Sequence, residues 1–183
     1  NLNRALENCH LSLSSITVSP IAAAQAALSD DEKDLGTTII DLGGGTTGMA
    51  IYQSGSPCYA EILPVGGRHV TGDIANVLPT TLIHGERLKT SYGRAFVQPG
   101  DERSIVEAPT ASDEANAEMR KISVSFLNQV IEARLEEIFE TIAERLNSPS
   151  LSKFAGRRVV LTGGGALMPG IKDIASRVLQ KDV

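Results

Sequence analysis

The chain has 183 residues, 42% of them apolar and 4% aromatic, and a formal net charge of −5. That is enough apolar chain for the core of one domain or two small ones, while the acidic balance and the lack of any Lys/Arg block argue against nucleic acid, which needs a basic stripe to displace counterions. Cys9 and Cys58 stand apart, without zinc-site or disulfide spacing, and read as reduced cytosolic thiols, and no apolar run approaches the ~20 residues that span a bilayer.

In chain order, Leu2, Ala5, Leu6 and Cys9 recur at helical spacing, 14–18 is a short strand candidate, and Ser19-Pro20 opens a second helix with proline in its first turn. The run from Ile21 through Ala22, Ala23, Ala24, Gln25, Ala26 and Ala27 to Leu28 favours helix and has little bulk. Its backbone can therefore approach a neighbour closely, with an ordinary small-residue helix as the plain alternative. Residues 29–36 form a charged surface connection. Three strands are expected next, at 37–42, 47–53 and 58–64, in an antiparallel meander whose second turn is Ser54-Gly55-Ser56-Pro57.

The first turn of that meander is Leu42-Gly43-Gly44-Gly45-Thr46-Thr47. Glycines admit φ > 0 and carry no Cβ, so an anion can lie against the peptide N–H groups. Thr46 and Thr47 add hydroxyls, and Asp41 at the strand end is placed to hold a divalent cation, directly or through its waters. A tight hairpin also wants glycine, and the turn by itself leaves the two readings even.

Gly66-Gly67 closes the meander, either presenting N–H groups to a ligand or making a plain strand-to-helix turn. Thr71 is placed to cap a helix through Leu78 that Pro79 stops. A helix over 81–92 ends at Gly93. On it Glu86 and Lys89 share a face, which on spacing alone is a surface ion pair. Residues 94–117 are polar and irregular, with a short strand at 104–107 and Ala108-Pro109-Thr110 leading out.

Ser125 as a cap then opens a long helix to Leu146. Leu127, Val130, Ile131, Leu135, Ile138 and Ile142 lie on one face, with Arg134 among the glutamates of the other. After a loop, a strand at 158–161 delivers a second glycine turn, Thr162-Gly163-Gly164-Gly165-Ala166, and 171–179 is the last helix. Two strand-to-glycine turns able to face one ligand favour a phosphate site.

Asp41-Leu42-Gly43-Gly44-Gly45-Thr46-Thr47 resembles the second phosphate-binding loop of the actin, Hsp70 and sugar-kinase group, and Thr162-Gly163-Gly164-Gly165-Ala166 is similar to its adenosine loop. Three further stretches narrow the resemblance to the FtsA family of bacterial cell-division proteins: Pro64-Val65-Gly66-Gly67-Arg68-His69-Val70-Thr71-Gly72-Asp73-Ile74-Ala75, Glu86-Arg87-Leu88-Lys89-Thr90-Ser91-Tyr92-Gly93 and Ala133-Arg134-Leu135-Glu136-Glu137-Ile138. The resemblance implies an α/β, actin-like (ribonuclease H-like) mixed sheet with flanking helices and a small inserted α+β subdomain. Residues 1–33 would be a remnant of a first lobe and its connecting helix, 34–78 with 156–183 the nucleotide-binding subdomain, and 79–155 the inserted, partner-binding one.

It further implies ATP and Mg²⁺ between two lobes. Gly43, Gly44, Gly45, Thr46 and Thr47, with Gly66, Gly67, Gly163, Gly164 and Gly165, would surround the nucleotide, Asp41 would face the magnesium through water, and Glu86 and Lys89 would reach ribose and adenine. As partners it implies self-association into filaments and the acidic C-terminal peptide of FtsZ, held by Arg134. It also implies membrane attachment through a C-terminal helix that this chain lacks, on the cytoplasmic face of the cell membrane.

The chain departs from the family pattern in several places. It has no Asp-x-Gly first phosphate loop and about half the family's length, so it reads as a second lobe with part of the first, expected to be inactive in isolation. Gly48 stands where many members have Asp, and Phe126 where the partner site can carry lysine. A pilus-assembly actin homologue, or an ATPase or phosphotransferase of the same fold, shares the phosphate loops and is the competing expectation, with at most weak ATPase activity in the preferred one.

Overall fold

The structure, a computed structural model, describes residues 2–110 and 119–183. In chain order its elements are α1 (Leu2–Asn8), α2 (Ser19–Ala27), α3 (Asp30–Leu35), β1 (Thr37–Leu42), β2 (Thr47–Gln53), β3 (Ser56–Leu63), α4 (Gly67–Val77), α5 (Leu82–Tyr92), β4 (Ile105–Pro109), β5 (Met119–Ser123), α6 (Val124–Leu146), β6 (Arg158–Thr162) and α7 (Ile171–Leu179). A single 3₁₀ turn, Gly164–Leu167, separates β6 from α7.

The expected meander forms and is extended on one side. The sheet order is β3-β2-β1-β6, antiparallel except for β1 and β6, which run parallel with Ile40 opposite Leu161 and Asp41 opposite Thr162. β1 and β2 are buried almost throughout because both faces are covered, as expected of central strands. On one face Ile40, Leu42, Met49 and Ile51 join a core with Val70 and Ile74 of α4, Ile138 and Ile142 of α6, and Ile174 of α7. On the other, Ile39, Ala50 and Tyr52 meet Ala24 and Leu28 of the alanine-rich segment. That helix lies so close that a Cβ on Gly48 would stand 2.8 Å from Pro20 Cγ. The small-residue helix and the missing side chain at 48 are thus one packing solution, and an aspartate has no room there.

Several boundaries differ from expectation for local reasons. Residues 14–18 form no strand and lie exposed, without a neighbouring strand to pair with among the described residues. The charged stretch 29–36 contains α3, closed by a capping box in which Glu32 N donates to Ser29 Oγ and Ser29 N to Glu32 Oε2. β3 starts at Ser56, two residues early. α4 starts at Gly67, so Thr71 lies inside it, buried, rather than capping it. Ser123, whose Oγ accepts from Phe126 N at 3.2 Å, caps α6 in place of Ser125, which is buried. The strand expected at 104–107 is β4, paired antiparallel with β5, which was not anticipated. The part of the irregular stretch at 111–118 lies outside the described residues.

α6 carries the expected apolar stripe into the core, with Ser125 and Asn128 as buried polar exceptions. Asn128 is fully buried, accepts from Arg94 N at 2.9 Å and donates to Asp101 Oδ2 at 2.9 Å, tying the 94–104 segment to the helix.

Gly48→Ala should destabilise the chain by about 1–3 kcal/mol, the usual scale of overpacking. Urea denaturation monitored by far-ultraviolet circular dichroism measures this, and an unchanged midpoint would mean that α2 moves away from β2 without penalty.

Candidate functional site

Because β1 and β6 are parallel neighbours, their carboxyl ends coincide, and each runs directly into a glycine turn. The two turns therefore meet at one edge of the sheet, where open α/β sheets commonly place a ligand. Gly163, at φ 86°, is the residue that requires the left-handed region. A Cβ there would sit 2.4 Å from Asp41 Oδ1, and one on Gly165 would sit 2.8 Å from Leu42 Cβ. The second turn is glycine-rich so that it can lie against the end of β1.

The first turn works differently from expectation. Gly43, Gly44 and Gly45 do not adopt positive φ, since a loop of four residues spans the gap without a two-residue primed turn. A Cβ on Gly44 or Gly45 would meet nothing within 4 Å, so these positions leave open space. Among the described residues their N–H groups, and those of Thr46, Gly164 and Gly165, form no hydrogen bond. They are ready donors for an anion. Thr47, by contrast, is buried and its hydroxyl donates to Val65 O at 2.8 Å.

The first turn of α4 lies directly on this loop. Gly67 N donates to Gly43 O at 2.9 Å and Arg68 N to Gly44 O at 2.7 Å, while Gly66 N donates to His69 Nδ1 at 3.1 Å. The approach depends on Gly66, whose Cβ would fall 2.6 Å from Gly43 O. Of the two sequence readings for Gly66-Gly67, the geometry favours packing, because both N–H groups already have protein partners.

α5 closes the far side. Lys89 Nζ donates to Gly67 O, Thr71 Oγ1 and Glu86 Oε2 at 2.9, 2.9 and 2.7 Å, and Thr71 also bonds Glu86 Oε2. Partial burial raises the Glu86 pKa, but the hydrogen bonds from Lys89 and Thr71, with the charges of Lys89 and Arg68, outweigh it and hold the carboxyl below its ordinary value. The partly open cleft, about 450 Å³, is lined by Gly43, Gly44, Thr47, Gly66, Gly67, Glu86, Lys89, Gly164 and Gly165 among the expected residues. Gly45, Thr46, Gly163 and Asp41 are not part of that lining. Sequence reasoning missed its apolar wall, formed by Leu135 and Ile138 of α6 with Leu167, Met168 and Pro169. Leu167, 84% exposed just after a glycine turn, broke the burial pattern that sequence periodicity can detect.

Asp41 ends β1 half-buried, and its carboxylate makes no hydrogen bond among the described residues. No group of three or more His, Cys, Asp or Glu is placed to hold a metal among them, so a cation here would need a ligand's own oxygens. No helix among them is long and apolar enough to cross a membrane.

Arg134 was expected to project from the charged face of α6. Its side chain is instead only 26% exposed, with Nε and Nη2 donating to the two oxygens of Asp73 at 2.5 and 3.0 Å and Nη1 to Glu137 at 2.7 Å. The Asp73 hydrogen bonds raise its already high pKa. A shallow groove between α4 and α6 runs beside the pair, with Val77, Val130 and Ala133 as its apolar part.

The family model for cell division protein FtsA matches residues 38–183. Cell division protein FtsA of Agrobacterium fabrum is 35% identical over 183 residues, and that of Bacillus subtilis 37% over 183 residues, each alignment covering 100% of this chain and 41% of the relative. The chain thus spans about two fifths of the length of the curated relatives it matches. Among solved structures, MreB5 of Spiroplasma citri bound to ADP is similar with a TM-score of 0.79 at 24% identity, covering 99% of this chain and 57% of that one. The expected actin-like α/β fold is therefore present.

Since the Glu86 pKa is depressed in the folded chain, its stabilising contribution is complete above the ordinary value of 4.5 and is lost as pH falls through the lower folded value. Glu86→Gln should flatten the acid limb of the stability curve below that point while leaving the slope near neutrality unchanged. Thermal melts across pH 2.5–7 measure this (about those limits, where carboxylates titrate), and parallel acid limbs in both chains would refute it.

Proposed function

This chain belongs to the FtsA family of cell-division proteins, and on that premise we propose that it supplies one lobe of an ATP-binding actin homologue that assembles into filaments and contacts FtsZ. The observation that carries the nucleotide reading is the pair of glycine turns at adjacent parallel strand ends, with Gly44, Gly164 and Gly165, whose N–H groups are unengaged, lining one cleft. The phosphates would lie against Gly44, Gly45, Thr46, Gly164 and Gly165. Gly43, Gly66, Gly67 and Gly163 keep that surface in shape, and Thr47 anchors its edge.

The nucleoside would extend toward Glu86, with Lys89 behind it and Leu167 and Met168 against the base. Asp41 fits a magnesium ion held through water: its carboxylate is unengaged, it stands where the two turns meet, and any Cβ at 163 would fill the space beside it. Bound there, the cation would offset phosphate charge. Residues 34–78 and 156–183 would be the nucleotide-binding part and 79–155 the partner-binding one. That the related MreB5 is bound to ADP in the same fold supports this reading.

The FtsZ C-terminal peptide would lie in the groove between α4 and α6, its apolar side on Val77, Val130 and Ala133 and a carboxylate on Arg134. Attachment to the cytoplasmic face of the membrane would come from sequence outside these 183 residues.

In a full-length protein carrying this chain, Asp41→Ala should weaken magnesium-dependent ATP binding by about 1–3 kcal/mol, and Gly44→Val should weaken it more by filling the open space at the loop. Calorimetric titration with MgATP decides, and parental affinity in both variants would reduce the hairpin to a mere turn. Arg134→Ala should lower affinity for an FtsZ tail peptide about tenfold, the scale of a charged hydrogen-bonded contact, with a modest fall in melting temperature from the lost Asp73 pair. Unchanged affinity per folded molecule would place the partner site elsewhere.

A further inference from the structure

We propose that Phe96 and Asn128 are positioning residues for the apolar end of the cleft: together they latch the segment 94–101 onto the Met168-Pro169-Gly170 corner and so hold the wall against which a base would lie. The base part rests on the reading of the cleft as a nucleotide site.

That corner has little of its own to hold it. It lies between a single 3₁₀ turn and α7, and Pro169, which lines the cleft, has no N–H, so its carbonyl is the one backbone group by which it can be tied. The tie is the N–H of Ala95, a fully buried residue, which donates to Pro169 O at 2.9 Å. Phe96 adds a steric stop beside it. Gly170 caps α7 at φ 83°, and a Cβ there would run into Cδ1 and Cε1 of the Phe96 ring. A side chain at 170 would thus both resist that backbone and displace the ring.

The segment that carries Ala95 and Phe96 is itself fixed to α6. Asn128, fully buried, accepts from Arg94 N and donates to Asp101 Oδ2, each at 2.9 Å, and so ties both ends of the segment to one side chain. Asp101 O also accepts from Ser125 N at 3.2 Å. α6 supplies Leu135 and Ile138 to the same apolar lining as Met168 and Pro169. One helix therefore carries part of that lining directly and fixes the rest through Asn128.

A wall held in one place matters to a flat group that lies on it and is indifferent to phosphates at the glycine turns. With the latch loosened, only a fraction of molecules offers the wall in position, and apparent affinity falls by that fraction. The loss should fall on ligands that carry a base.

The test uses Phe96→Ala, Asn128→Ala and Phe96→Tyr in a full-length protein carrying this chain. Competition titrations compare MgATP with the abasic ribose triphosphate, which keeps the sugar and the phosphates. The parent should prefer MgATP. Phe96→Ala and Asn128→Ala should lower MgATP affinity about fivefold and change that for the abasic ligand by about twofold or less. Phe96→Tyr, which keeps the ring, should retain the parental affinities. Separately, without nucleotide, amide hydrogen exchange at Ala95 should accelerate about tenfold in both alanine variants, while exchange at Gly67, bonded to the first glycine turn, stays as in the parent.

Where the parent prefers MgATP, an unchanged preference in Phe96→Ala, an equal loss of both ligands or unchanged exchange at Ala95 overturns the inference. If the parent binds both ligands equally, the base reading of the wall fails. The exchange arm then decides whether the segment holds the corner, acceleration supporting that role and its absence overturning it. Should an alanine variant not fold, Phe96→Leu, which removes the ring and keeps much of the bulk, carries both readouts.

Discussion

The close contact between the first glycine turn and the start of α4 is the constraint on which the cleft depends. Two backbone hydrogen bonds, from Gly67 and Arg68 to the carbonyls of Gly43 and Gly44, hold these segments together, and they form only because Gly66 has no side chain. Pointing the carbonyls of Gly43 and Gly44 at α4 engages those acceptors and turns the N–H groups of the same two peptides, Gly44 and Gly45, to the opposite side, whereas Thr46 N lies on the Gly66 side. A peptide has one donor and one acceptor, so committing the acceptors inward presents the donors outward. The donor-rich surface thus follows from how the loop is packed, with no need for a left-handed backbone at any of its glycines.

α4 connects this loop to the rest of the molecule. Its first turn lies on the first glycine turn, and its middle carries both Thr71 into the Lys89 and Glu86 cluster and Asp73 to Arg134. α6 repeats the arrangement from the other side, since Leu135 lines the cleft while the adjacent Arg134 lies beside the groove. The two candidate sites therefore share both helices. The ion pairs differ in weight. The fork between Arg134 and Asp73 is bidentate and about three-quarters buried on each partner, whereas Arg177 reaching Glu132 and Glu136 is more than half exposed and contributes little.

What the sequence made legible was mostly what is local or periodic. The strands of the meander, the apolar stripe of α6, the end of α5 at Gly93 and both glycine turns could be read from alternation, helical spacing and turn residues. The Ser29 and Glu32 capping box is also local, but the charged residues around it mask its signal. What could not be read depends on distant partners. Arg134 lies 61 residues from the aspartate that holds it, so its apparent place on a solvated face was a statement about helix phase alone. Gly48 read as a missing carboxylate, yet its cause is Pro20 on a helix far earlier in the chain. Gly66 and Gly67 left two readings open that only the position of the first turn could separate.

The cleft is also ordered along its length, and this order limits what it can hold. One end offers backbone donors with the Asp41 carboxylate beside them, which suits an anion that brings a cation with it. The other offers the acceptor Glu86, whose charge repels an anion, while its cationic neighbour is already saturated by protein atoms. Between and beside them lies an apolar wall from Leu135, Ile138 and Met168. A molecule that satisfies all three must carry its negative charge at one end, hydroxyl groups further along and a flat or apolar part beyond the charge. A simple phosphate meets only the first demand and a sugar only the second. A nucleotide meets all three, and in one direction, since reversing it would set phosphate against Glu86 and strand the donors of the glycine turns.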